Sequence, residues 1–384
     1  MTDVHGSNDP RFQSVRELFD RQLSSGNELG ASLCVNLDGK TVVDLWGGYT
    51  TEARTAPWTE DTIVPVWSSS KCVTNFAALM LIDRGVLDPN ARVSQYWPEF
   101  AANGKQDIKV RHILSHTAGI PSWELPWTKE DLFNNRLATE RLVDLTPWWT
   151  PGTASGYHVV TQGHLVGELV RRITGKSLGQ FIREEIASPL DADFQLGAEE
   201  KDWPRCAEAV APADPPLPDK PVDMNSIPVR IAQALAFKAD DSNSPGFRKT
   251  EMGAVNAVSN ARGLNRILSV ITQHGMANGR QFLSPETVDL IFNEQISGID
   301  LFLGVFLRMG LGYGLSSLKT VDWFPEGKVC YWGGWGGSVC IMDLDRKVTI
   351  TYALNRMGNG LVGNDRTEAY VREIYAVLDR ITAQ

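Results

Sequence analysis

The sequence predicts an α+β fold: an antiparallel β-sheet flanked by helices, with a largely helical domain inserted into it. Three observations predict it. Two strand-like runs near the start meet at Asp38-Gly39, a strong hairpin signal. Four more strand-like runs follow one another between Gly310 and Leu354. Between these regions, from Asp88 to about Ala254, helical patterns and Pro- or Trp-containing loops dominate. A sheet domain is therefore expected at 1–87 and 255–384, built from both chain ends, with a mainly helical domain at 88–254.

Taken in order, Phe12, Val15, Leu18, Phe19 and Leu23 have helical spacing and predict an amphipathic opening helix. Ala31–Leu37 and Thr41–Trp46 are the hairpin strands, and a polar loop from Tyr49 to Thr62 follows. Val66–Thr74 then opens a strongly apolar run. Ser68, Ser69 and Ser70 suit the N-cap and first turn of a helix. That helix continues through Phe76, Leu79, Met80, Leu81 and Ile82, apolar on nearly every side and so buried, with Gly85 as its C-cap.

His112–Pro121 predicts a short helix ending in a turn at Gly119 to Pro121, and Leu165–Ile173 and Leu178–Ile186 predict two helices split at Gly175. Asp202 to Pro228 carries Pro204, Pro212, Pro215, Pro216, Pro218, Pro221 and Pro228, which predicts an extended surface loop or a lid. Asn260–His274 is a helix capped by Ser259 or Asn260 and closed by Gly275, and Pro285 fits the first position of another. Gly310–Leu315, Lys328–Trp332, Ser338–Leu344 and Val348–Leu354 are the late strands, with a turn at Asp345-Arg346. Thr367–Leu378 closes the chain as an amphipathic helix.

Composition narrows the function. The 384 residues are 42% hydrophobic and 22% charged, ordinary for a globular protein. A net charge of −9 without a basic tract argues against nucleic acid or an anionic membrane as partner. No apolar run approaches the roughly 20 residues of a membrane span, and the first ten residues resemble no signal peptide. Five cysteines without metal-ligand spacing suggest free thiols in the cytoplasm. No HExxH, CxxC pair or phosphate loop is present, so neither a metal nor a nucleotide cofactor is expected.

Ser68 and Lys71, three apart on a helix, share one face. A hydroxyl and an amine held together at a buried helix N-terminus can make an activated nucleophile. A chain of this length shows about one or two Ser-x-x-Lys matches by chance. The other match, Ser316 to Lys319, lies in a strand region where residues three apart face opposite ways. Two further features stand out. Thr150–Tyr157 is a Pro-Gly turn that delivers a tyrosine just before a helix. Tyr331–Ser338 is a strand entry dense in glycine, which weakens a strand unless something must approach its backbone closely. His116, His158 and His164 could serve a rival Ser-His-Asp arrangement, but no G-x-S-x-G elbow accompanies them. Trp123, Trp127, Trp148 and Trp149 fall in insertion loops and suggest a substrate wall.

In this order and at these separations, the three motifs resemble the serine β-lactamase and penicillin-binding-protein family, above all class C β-lactamases and family VIII carboxylesterases. Ser68-x-x-Lys71 matches the first motif, Tyr157 the tyrosine of the second, and Trp332-Gly333-Gly334 the place of K-T-G. The resemblance spans roughly 12 to 380. It implies the β-lactamase/transpeptidase-like fold, an active site between the two domains, and acyl transfer through a covalent ester on Ser68. It also implies Lys71 as proton shuttle and Tyr157 as general base, its phenol shifted down by Lys71. The oxyanion hole would come from the backbone amides of Ser68 and Trp335, beside a substrate cleft lined by Trp332, Gly333, Gly334 and Val159.

Two departures point to esters. Val159 stands where the family's second motif usually has asparagine, and Trp332 where lactamases carry a lysine. Neither offers a charge or an amide to a β-lactam, so an uncharged, apolar or aromatic ester is the expected substrate. An acyltransferase moving the acyl group to an alcohol or amine is the alternative. A β-lactamase or D,D-peptidase ranks lower, and from another class stands a catalytically silent binding or assembly protein that kept the fold.

Overall fold

Asp38 and Gly39 both adopt positive φ, 49° and 79°, the conformation a tight two-residue hairpin requires. They join β2 (Gly30–Leu37) to β3 (Lys40–Gly48). The computed structural model describes residues 3–212, 223–235, 237–360 and 362–383. Among them, nine strands form one antiparallel sheet. The other seven are β1 (Val4–Asn8), β4 (Ile296–Ile299), β5 (Phe306–Met309), β6 (Gly314–Leu315), β7 (Val329–Gly333), β8 (Val339–Asp343) and β9 (Val348–Leu354). The strand order is β1-β3-β2-β9-β8-β7-β6-β5-β4, so β2 from the start of the chain pairs with β9 from its end.

Both faces of the sheet are covered. Val329, Tyr331, Val339 and Ile341 point into a core with α1 (Gln13–Ser25) and α5 (Asp365–Thr382). Their alternates Cys330, Trp332, Cys340 and Met342 point to the opposite core, which holds α2 (Ser70–Asp83) and α4 (Ala261–Thr272). Period-two alternation therefore sorts side chains between two apolar layers, and the strands read as continuous hydrophobic runs. Every residue of α2 from Ser70 to Leu81 is buried, as its all-round apolar sequence requires. Gly85 sits just past its end at φ 68°. Between Leu87 and Val258 lie mainly helices, including α3 (Thr161–Thr174), with the short strand Phe194–Gln195. That strand joins Val64–Pro65 and Val258–Ser259 in a small sheet directly before the Ser68 turn.

Several local expectations are corrected. The edge strands β1 and β4 went unrecognised because neither alternates in hydrophobicity; only backbone pairing makes them strands. Gly310–Tyr313 is a turn between β5 and β6, closed by Gly310 N–H donating to Tyr313 O at 2.8 Å. The proline-rich stretch is not uniformly extended. Pro204 lies inside a short helix, Glu200–Arg205, and Pro228 in the first turn of Ile227–Ala234. Pro215, Pro216, Pro218 and Pro221 fall outside the described residues.

The sheet and α4 are locked by one amide. Buried Asn265 donates to Cys34 O at 3.2 Å, Thr349 O at 3.0 Å and Thr351 Oγ1 at 3.2 Å. Asn265→Ala should cost about 1–3 kcal/mol, the usual loss for a buried hydrogen-bonding group. A urea midpoint that falls with unchanged m-value is the expected result, and an unmoved midpoint would dismiss the lock.

Candidate active site

The turn that carries Ser68 is held from several directions. Trp67 takes a left-handed conformation at φ 50°, which costs about 1–3 kcal/mol in a non-glycine residue. Its ring is fixed against Trp335 at 5.1 Å, Phe247 at 5.6 Å and Phe237 at 6.3 Å. A short helix, Trp67–Ser69, then leads into α2. The serine hydroxyls do not cap that helix as expected. Ser70 Oγ donates to Trp67 O and accepts the Ala257 amide at 3.1 Å. Ser338 Oγ donates to Val66 O at 2.8 Å, leaving Ser69 Oγ to donate to Ser338 Oγ at 3.0 Å. These bonds pin the entry of β8 to the turn carrying Ser68.

Lys71 is 1% exposed. Its Nζ donates to Val159 O at 2.7 Å and Ala254 O at 3.0 Å, and lies 3.2 Å from Ser68 Oγ. Burial pushes its pKa well below the ordinary lysine value. The amine also stands over the Tyr157 ring, 4.6 Å from its centre. Val159 thus contributes a backbone carbonyl to the lysine, while its side chain is only half-buried.

Tyr157 is held at both ends. Its amide donates to Asp300 Oδ1 at 3.1 Å, and its phenol oxygen accepts the Trp332 indole N–H at 3.0 Å. Burial pushes the phenol well above its ordinary pKa; hydrogen bonding from Ser68 and Trp332 pulls the other way without offsetting it. The expected downward shift is therefore reversed. Desolvation of the phenolate outweighs its neighbours.

The three histidines form no triad. His158 Nδ1 lies 2.7 Å from Gly156 O and so carries its proton there, while its Nε2 accepts the Ile120 amide at 3.3 Å. His116 Nδ1 accepts the His158 amide at 3.2 Å, and its ring edge packs on Tyr157 at 4.7 Å. Both brace the Tyr157 turn. His164 packs edge-on against Trp123.

Glycine lets the third motif close in. A Cβ on Gly334 would stand 2.4 Å from Val66 O and 2.3 Å from Ser338 Oγ. Gly333 pairs with Val339 at the end of β7. Among the described residues, the Ser68 and Trp335 amides donate to no protein acceptor. Trp332 is buried, with its single N–H already used by Tyr157.

The expected tryptophan wall is corrected. Trp123 and Trp127 stack on each other in the core at 5.0 Å, and Trp149 donates to Ala154 O beneath Gly156. Trp148 lies under Arg230 and donates to Glu124 Oε1 at 2.8 Å. The aromatic cluster beside Ser68 is instead Trp67 packed against Phe237, Phe247 and Trp335, with Phe302 stacked on Tyr157 at 6.4 Å. Sequence reasoning missed Asp300, Phe302, Phe237 and Phe247, which no local motif marks, and it quoted Ser338 only as the end of the glycine-dense stretch. A cavity of about 1020 Å³, lined by residues including Phe133, His164, Arg171 and Glu251, touches none of Ser68, Lys71 and Tyr157.

A family model described as Beta-lactamase matches residues 15–372. The chain is 34% identical to "Esterase/beta-lactamase LipL" of Mycobacterium tuberculosis, over 99% of this chain and 89% of the relative. A crystal structure of a family VIII carboxylesterase superposes with a TM-score of 0.91 at 31% identity, covering 98% of this chain and all of that one. A penicillin-binding protein homologue from Caulobacter crescentus gives 0.90 at 30% identity, with the same coverage.

Burial also makes the fold acid-sensitive. It lowers His158 to about 3 and His164 to about 4, from an ordinary 6.5. The unfolded chain binds these protons first, so stability is complete above pH 6.5 and falls as pH drops towards the folded values. The melting temperature should decline below that pH, and His164→Phe should flatten the decline. A His164→Phe profile parallel to that of the parent would remove His164 from the effect.

Proposed function

The chain belongs to the beta-lactamase family, and we propose that within it this protein is a serine hydrolase cleaving carboxylic esters through an acyl-serine on Ser68. One observation carries the reading. Lys71 is buried with no carboxylate partner among the described residues, gives two N–H groups to Val159 O and Ala254 O, and has its remaining tetrahedral position facing Ser68 Oγ. In the uncharged form that burial favours, that position holds the lone pair. Lys71 is then the base.

The steps follow from this placement. Ser68 Oγ attacks the ester carbonyl as Lys71 takes its proton. The amides of Ser68 and Trp335 receive the oxyanion; each such donor is worth about 2.7–4 kcal/mol in comparable sites. Tyr157, kept protonated by its raised pKa, protonates the leaving alcohol and is recharged from Lys71. Water then repeats the cycle on the acyl-enzyme. The base role thus passes from Tyr157 to Lys71 relative to the sequence expectation, because burial moves the two pKa values in opposite directions.

The substrate class follows from Trp332, whose only polar atom is engaged by Tyr157, so no cation meets an anionic substrate there. Trp335, Phe237 and Phe302 offer apolar surface, which fits an uncharged apolar or aromatic ester. The names of the M. tuberculosis relative and the family VIII carboxylesterase support ester cleavage. The former name also keeps β-lactams as a second substrate class. We assign the sheet domain to 1–87 and 255–384 and the helical domain to 88–254. Ser68 and Trp335 come from the first, Tyr157 and Val159 from the second, which supports a site at their junction. All five cysteines are free and buried, which supports a reducing, cytoplasmic setting.

Ser68→Ala should lower turnover of short-chain p-nitrophenyl esters at least about a thousandfold while the circular dichroism spectrum is unchanged. Normal turnover would sink the Ser68 assignment, and rapid nitrocefin hydrolysis by the parent would promote the β-lactam reading. Turnover should rise with pH through a lysine pKa depressed from its usual range, a limb that Lys71→Met abolishes. Trp332→Phe removes one donor from Tyr157 and should lower kcat about tenfold, the equivalent of about 1.4 kcal/mol. An unchanged kcat would deny Trp332 any hold on the phenol.

A further inference from the structure

We propose that Asp300 is the positioning residue that sets Tyr157 for proton transfer, an inference that rests on the acid role of Tyr157 given above. Asp300 is 1% exposed, in the turn after β4. Its Oδ1 accepts the amides of Tyr157 at 3.1 Å, Phe302 at 2.9 Å and Leu303 at 2.9 Å. Its Oδ2 accepts the Ser155 hydroxyl at 2.6 Å. Among the described residues no cation lies within salt-bridge distance of it.

A buried carboxylate without a cation is costly unless hydrogen bonds satisfy it. Here the donors come from two segments far apart in sequence. On the far segment they are the tyrosine's own amide and a hydroxyl two residues before it. The Ser155 carbonyl accepts the Leu301 amide at 2.8 Å and doubles the connection. Phe302, held in the same turn, stacks on the Tyr157 ring. Asp300 therefore fixes the backbone end of the tyrosine, while Trp332 fixes its hydroxyl end. Together they define where the phenol stands relative to Ser68 Oγ. Proton transfer tolerates little misplacement: about 1 Å can cost about a hundredfold.

The test is a double-mutant cycle on a short-chain p-nitrophenyl ester, with Asp300→Ala, Tyr157→Phe and the pair. Asp300→Ala should lower kcat about 10- to 100-fold with KM within about threefold. Asp300→Asn, whose carbonyl can accept the same amides, should recover kcat to within about fivefold of the parent. In the Tyr157→Phe background Asp300→Ala should have no further effect, the coupling expected if it acts through the phenol. Equal losses in both backgrounds would make Asp300 a general fold residue and overturn the proposal. Full activity of Asp300→Ala beside an impaired Tyr157→Phe would overturn it alone. Full activity of Tyr157→Phe would instead remove the acid role itself. If Asp300→Ala does not fold, Ser155→Ala carries the test: it should lower kcat only when Tyr157 is present, and an unchanged kcat counts against Asp300.

Discussion

One buried amine draws distant parts of the chain together. Lys71 is 1% exposed, and its partners are two backbone carbonyls and one hydroxyl, with no counter-charge among the described residues. To bring those carbonyls within reach, three parts of the chain must converge on the first turn of α2. Gly163 on α3 presses so hard on residues 253–254 that a Cβ would stand 2.2 Å from Ala254 N. Gly253 meets Thr74 in the same way, and its carbonyl accepts Thr74 Oγ1 at 2.6 Å. Tyr313 donates to Cys72 O at 2.7 Å and holds the turn from the sheet side. The close packing of sheet, α2 and α3 and the chemistry of Lys71 are one fact seen at two scales.

Burial then divides the labour. The same low-dielectric surroundings disfavour an ammonium and a phenolate alike, so Lys71 moves down and Tyr157 moves up. In the proposed mechanism, two groups pushed apart in this way serve as a base and an acid at one pH. The cluster around Tyr157 serves the same end. His116 and His158 are buried with lowered pKa values and brace the turn as neutral rings.

Much of this was legible in the sequence because it is local. An apolar run on every side predicts a buried helix, Asp38-Gly39 predicts the hairpin, and Ser68, Lys71 and Tyr157 stand out by spacing and context. What was not legible depends on contacts between distant segments. Asp300 is an ordinary acidic residue until the fold sets Tyr157 above it, and Phe237 and Phe247 are ordinary aromatics until Trp67 turns into the left-handed region beside them. The strands β1 and β4 carry no alternation because edge strands need pair on only one side. The tryptophans of the insertion misled for the reverse reason. Trp123 and Trp127 cluster in sequence, but their mutual stacking uses their surface in the core. The direction of the Tyr157 shift also depends on tertiary structure, since desolvation is set by everything packed around the ring.

Trp332 shows how one substitution can set two properties together. A lysine at that place would give the cleft a cation for a substrate carboxylate and, by the same charge, would lower the Tyr157 pKa. The indole supplies only a neutral N–H. It holds the phenol oxygen at 3.0 Å, yet leaves burial as the dominant influence on the phenol. In the proposed mechanism the tyrosine stays protonated and acts as a donor, and Lys71 takes the proton. On that reading, loss of charge recognition in the cleft and transfer of the base role to the lysine are a single consequence of an uncharged side chain on β7, and attraction for an anionic substrate is tied to the protonation state of the proposed acid.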